Sequence, residues 1–273
     1  LLHLDSYPEE TSTAAIDQAV AFGASLNGLM TAIAIHIDIR VPHNKVADYL
    51  VGLKRLEAEE EGKSLQACKR VLAHFSARAK ESGMPGDTLL ERANLHLVGE
   101  YVARRARTRD LCMVPVGDRL DGQRSVAEAV IFDSGRPTVV FWPGVADLPK
   151  AGLNTVVLAW DGSRGAARAM ADAMPVLLKA KKVLVFTALK EKPEATAGLG
   201  ADAVRHLQAH GVAAIAEQRD AERQSIGKAL DDYVRDVGAD MLVMGAYGRS
   251  RMREFILGGA TEHVLNSPKV PLL

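Results

Sequence analysis

The sequence predicts an α/β protein made of two tandem, open, five-stranded parallel sheets with helices on both faces. Two observations carry this reading. Short apolar runs alternate with amphipathic helical stretches, as parallel strands joined by crossover helices require. The alternation also occurs twice in the same order, and the breaker-rich segment WPGVADLPKAG separates the copies.

In the first half, LLHLDS reads as a strand, ETSTAAIDQAVAFGASL as a helix and GLMTAIAIHID as a strand. A long helical stretch from about Asn44 to Ser82 follows, then a strand near Thr88 to Leu97, the helix GEYVARRARTR and the strand DLCMVPV. A helix around Ser125 to Phe132 and the strand PTVVFW close this half. The second half repeats the order with LNTVVLAWDGS, RGAARAMADAMPVLLK, KKVLVFTAL, ADAVRHLQAH, GVAAIAEQ, SIGKALDDYVRDV, ADMLVMG, a glycine-bearing helix and KVPLL. HLDS matches AWDGS and RDLCMVPV matches ADMLVMGA, which sets Asp5 opposite Asp161 and Asp110 opposite Asp240. The expected domains are residues 1–146 and 147–273, the first lengthened by its charged middle helix.

Composition excludes several function classes. With 48% apolar residues the 273-residue chain buries a real core. Its 34 Lys and Arg balance 34 Asp and Glu without a basic block, so a nucleic-acid partner is not expected. No apolar run reaches the ~18 residues needed to span a bilayer, so no membrane association is expected. The two cysteines, Cys68 and Cys112, stand apart and suggest neither disulfide nor thiolate metal site. LLHLDS lacks the basic start of a signal peptide, and the expected compartment is the cytoplasm.

The chemistry concentrates in GAYGRSRMREFILGGATEHVL, where Gly245, Gly248, Gly258 and Gly259 fall in the pattern G-x2-G-x9-G-G just after an apolar strand. Ligands of open parallel sheets sit beyond the carboxyl ends of the strands, where helix N-termini offer free N–H groups to anions. Glycines let phosphate oxygens approach the main chain. The plainer alternative is a tight strand-to-helix turn at Gly245 and Gly248 with close packing at Gly258 and Gly259. Asp161, at the end of the neighbouring strand, suits a ribose hydroxyl or a base amine, although Asp161 or Ser163 would equally cap the helix RGAARAM. Other motifs are weaker. GDRLDGQRS imitates a phosphate loop but has Gln123 where the lysine belongs, and His206 and His210 lack a third ligand.

Taken with AWDGS and the repeat, GAYGRSRMREFILGGATEHVLNSPKVPLL resembles the universal stress protein family in its tandem form, over nearly the whole chain. The resemblance implies a Rossmann-like, adenine-nucleotide-hydrolase-like fold and ATP or AMP, with Mg2+, as ligand. Asp161 would face the adenosine, Phe186 and Thr187 the base, and Met244, Gly245 and Gly248 the nucleotide. Gly258, Gly259 and Ala260 would offer N–H groups to phosphates, and Arg249 would add positive charge. Gly259 stands at the family's Ser or Thr position, so a phosphate-directed hydroxyl is missing there. The first half departs further. Pro115 and Asp118 replace the first two glycines, so this half is expected not to bind ATP in this manner despite Asp5. Its expected role is pairing with the second domain through VVFW and VPLL, or in a homodimer. The implied function is a nucleotide-binding sensor or regulator in the stress response, with a slow ATPase and a nucleotide-free interaction scaffold as alternatives.

Overall fold

The computed structural model describes residues 1–39, 53–117, 120–150, 152–189, 198–221, 224–246 and 259–273. Contacts divide the chain into two compact units, Leu1–Arg136 and Pro137–Leu273.

In the first, β1 (Leu2–Leu4), β2 (Met30–Asp38), β3 (Gly86–Asn94) and β4 (Cys112–Pro115) pair in the order β3-β2-β1-β4, and β5 (Thr138–Phe141) falls among the residues of the second unit. β1 pairs in parallel with both β2 and β4, so the strand order reverses beside it. Helix α1 (Thr13–Ser25) starts where Ser12 accepts a hydrogen bond from the Ala15 N–H. It buries Ile16, Ala19, Val20 and Phe22. Helix α2 (Leu53–Glu81) is the described part of the expected long helix, whose beginning lies outside the described residues. Its buried positions Ser64, Ala67, Cys68, Val71, Phe75 and Ala79 recur every three or four residues, which is the stripe of a helix laid on a sheet. Helices α3 (Val98–Ala106) and α4 (Leu120–Asp133) pack together in the same unit.

The second unit contains β6 (Thr155–Ala159), α5 (Arg164–Asp172), the short α6 (Met174–Leu177), β7 (Lys182–Leu189) and α7 (Ala201–Ala209). It continues with β8 (Ala214–Asp220), α8 (Ile226–Asp236), β9 (Met241–Val243) and α9 (Gly259–Asn266). Its parallel sheet has the order β8-β7-β6-β9, reversing beside β6. Among the described residues four strands stand where five were expected. The closing KVPLL gives isolated bridges from Leu272, parallel to Leu242 and antiparallel to Val140. Pro271 has no N–H to extend a ladder, and its carbonyl instead accepts from the Leu242 N–H at 2.9 Å.

Candidate functional site

At the carboxyl end of β6 the chain turns outward through Trp160, Asp161 and Gly162 into α5. The N-cap of that helix is Ser163, whose hydroxyl accepts from the Ala166 N–H at 3.2 Å. Asp161 does not cap the helix. It is exposed, and its Oδ1 accepts from the Ser163 N–H at 3.0 Å, an Asx turn that holds the carboxylate at the mouth of the crevice. The Trp160 indole N–H donates to the Leu199 carbonyl at 3.2 Å, which fixes the ring along the β6–β7 side.

Gly245 follows β9 across the crevice. A Cβ there would lie 2.7 Å from the carbonyl carbon of Gly165 and 2.9 Å from its oxygen. This glycine therefore lets β9's end meet the first turn of α5 backbone to backbone. The described part of α9 runs from Gly259, and a Cβ on Gly259 would meet nothing within 4 Å among the described residues. Buried Thr261 faces back to the strand end, its hydroxyl 3.4 Å from the Gly245 carbonyl oxygen and 3.5 Å from that of Ala246. That hydroxyl is spent on the main chain and does not stand in for the one missing at Gly259.

The remaining expected residues divide. The Phe186 side chain is buried and stacked on Tyr233, with centroids 4.2 Å apart, so only its carbonyl, which accepts from the Trp160 N–H at 2.8 Å, reaches the strand end. Thr187 is also buried, and its hydroxyl has no hydrogen-bond partner among the described residues. Met244 donates its N–H to the Leu273 carbonyl at 3.0 Å. Gly248, Arg249 and Gly258 lie outside the described residues. The structure thus gathers Asp161, Gly245, Gly259 and Ala260 around the strand reversal and commits Phe186 to the core. Sequence reasoning did not single out Gly165, or the Asp231–His263 pair that joins α8 to α9 with Nε2 and Oδ2 2.9 Å apart. A glycine at the second position of a helix was the available signal for Gly165.

The matching place in the first unit is closed. Asp5 is buried, its Oδ1 lies 3.8 Å from Nε2 of buried His3, and its Oδ2 has no partner among the described residues. Burial pushes the Asp5 carboxyl above the usual range, against the opposing pull of His3 and a hydrogen bond from Gln123. Burial likewise pushes His3 down, opposed by Asp5. Gln123 turns inward, and its amide oxygen accepts from the Gly117 N–H. On the other side, Ser64 of α2 accepts from the Ile37 N–H at 3.0 Å and meets Ser6 at 2.9 Å. Glu61 accepts from the Ile39 N–H at 3.1 Å. The long helix covers the ends of β1 and β2.

Among the described residues no group of three or more His, Cys, Asp or Glu is placed to hold a metal, and no helix is long and apolar enough to cross a membrane. Both cysteines are free and buried, and the Cys112 thiol is pushed up to about 12 by burial.

Comparison with known proteins agrees with this geometry. Residues 152–273 match the family described as the universal stress protein family. Among solved structures, a universal stress protein from Archaeoglobus fulgidus superposes with a TM-score of 0.69 at 15% identity, covering 99% of this chain and 96% of that one. A protein of unknown function from Pseudomonas aeruginosa superposes with a TM-score of 0.55 at 13% identity, covering 99% of this chain and 90% of that one. No match is found among curated proteins. The match falls on the second unit, and the likeness in fold spans both units: residues 152–273 belong to the universal stress protein family, and the two-unit layout fits the tandem form of that family.

Proposed function

We propose that the second unit binds an adenine nucleotide, ATP or AMP, and that the chain acts as a nucleotide-responsive regulator in the stress response rather than as a fast enzyme. One observation carries this reading. An exposed carboxylate, Asp161, ends β6, and the described part of α9, from Gly259 and Ala260 onward, follows β9 on the other side of the strand reversal. The first suits a ribose hydroxyl and the second suits phosphate oxygens. Main-chain N–H groups bind an anion without offering it a general base, which favours retention of the ligand over its hydrolysis. Mg2+ would accompany the phosphates, held by them and by water as that ion prefers.

Titrating ATP, AMP and inorganic phosphate into the full chain by calorimetry tests the proposal. Saturable binding of ATP or AMP, weakened by Asp161→Ala, is the expected result. Absence of binding at millimolar nucleotide overturns it. The chain has two tryptophans, so a Trp142→Phe background leaves Trp160 as a fluorescent reporter at the crevice.

A further inference from the structure

The described residues of α9, Gly259–Asn266, are held by their contacts to neighbouring elements. The contact from Thr261 to the end of β9 is long. The firmer one is to α8, where His263 Nε2 and Asp231 Oδ2 are 2.9 Å apart. The Asp231 side chain is 9% exposed and that of His263 35%. Gly227, one turn before Asp231 on the same face of α8, makes room for the ring. A Cβ at 227 would fall 2.6 Å from His263 Cβ and 2.6 Å from Cδ2. His263 itself lies four residues after Gly259, so it shares a helix face with Gly259 and its side chain tilts toward it.

Apolar side chains would pack α8 on α9 more cheaply than a buried carboxylate bonded to a half-buried ring. A hydrogen-bonded pair of this kind adds a single register. We propose that Gly227, Asp231 and His263 are positioning residues for the nucleotide site: they set α9 so that the N–H groups of Gly259 and Ala260 meet the phosphates, without touching the ligand themselves. The proposal rests on the nucleotide reading above and adds to it a separable control of phosphate affinity. Adenosine, held at the Asp161 side, is indifferent to the device.

The test measures ATP and adenosine binding to the full chain by calorimetry, with adenosine as the internal control for folding. His263→Ala and Asp231→Ala are expected to weaken ATP about tenfold while adenosine stays within about twofold. His263→Gln and Asp231→Asn, which keep a donor and an acceptor in place, are expected to restore most of the ATP affinity. Gly227→Ala displaces the ring without changing either partner and carries the test should the Asp231 variant fail to fold. ATP and adenosine weakening in parallel, or an unchanged ATP affinity, overturns the positioning role alone. A parent chain that binds neither ligand overturns the nucleotide reading and this inference with it.

Discussion

Replacing Gly259 by serine puts the missing hydroxyl back at the start of α9, and the structure allows its consequences to be worked out. No described residue lies within 4 Å of the new Cβ, and Gly259 is not among the residues with positive φ, so the substitution clashes with none of the described residues and brings no backbone strain. Serine is the better helix residue by roughly 0.5 kcal/mol, a small gain in stability that needs no ligand. A hydroxyl donating to a charged phosphate oxygen contributes about 1.5 kcal/mol, which is roughly tenfold in affinity. Calorimetric titration of parent and Gly259→Ser chains with ATP, AMP and adenosine separates the two effects. The expected result is a gain of about tenfold for ATP, a smaller one for AMP and none for adenosine. An equal gain for all three ligands, or none for ATP, would refute the assignment of this turn to phosphate.

Three further outcomes are expected. Gly245→Ala forces a methyl to 2.7 Å from the Gly165 carbonyl carbon and should destabilise the second unit by about 1–3 kcal/mol in denaturant melts; an unchanged midpoint would mean α5 yields freely. Asp161→Ala should weaken ATP and adenosine by the same factor, roughly tenfold, and phosphate-selective loss would contradict its place at the adenosine side. Asp5→Asn should stabilise the chain near neutral pH. The raised carboxyl contributes stability that is fully present below the ordinary value of 3.8 and lost as pH rises through its folded value, at up to about 1.4 kcal/mol per pH unit. The advantage of the asparagine variant should therefore vanish as melts are taken down toward pH 4, and an advantage that grows on acidification would reverse the assignment.

Element order was legible because the period of apolar residues changes between strand and helix, and the repeat checked each half against the other. The place of Asp161 was legible because it follows an apolar run and so lies at a strand end by position alone. Side-chain direction was not legible in β7. Phe186 and Thr187 are adjacent and both buried, because a parallel sheet covered on two faces removes the alternation that would tell one face from the other. Neither was the reason for Gly245, since the backbone it meets, at Gly165, is brought there only by the pairing of β6 with β9. The strand expected at KVPLL failed for a local reason already present in the sequence, the donor missing at Pro271.

The two aspartates that anchor the repeat show why a retained residue does not by itself mark a retained site. Asp5 and Asp161 both follow the first strand of a sheet, at the point where strand order reverses. Around Asp161 the turn runs outward, and the exposed carboxylate accepts the Ser163 N–H. Around Asp5 the chain has filled the same space with its own polar groups. Gln123 satisfies the Gly117 N–H, Ser64 and Glu61 satisfy N–H groups at the end of β2 and just beyond it, and His3 sits beneath the carboxyl. An acid held in that setting is favoured uncharged, which removes the strong acceptor a ribose hydroxyl would need. On the proposed reading, what separates a nucleotide crevice from a structural one in this chain is thus the solvation of its carboxylate, exposed at Asp161 and buried at Asp5.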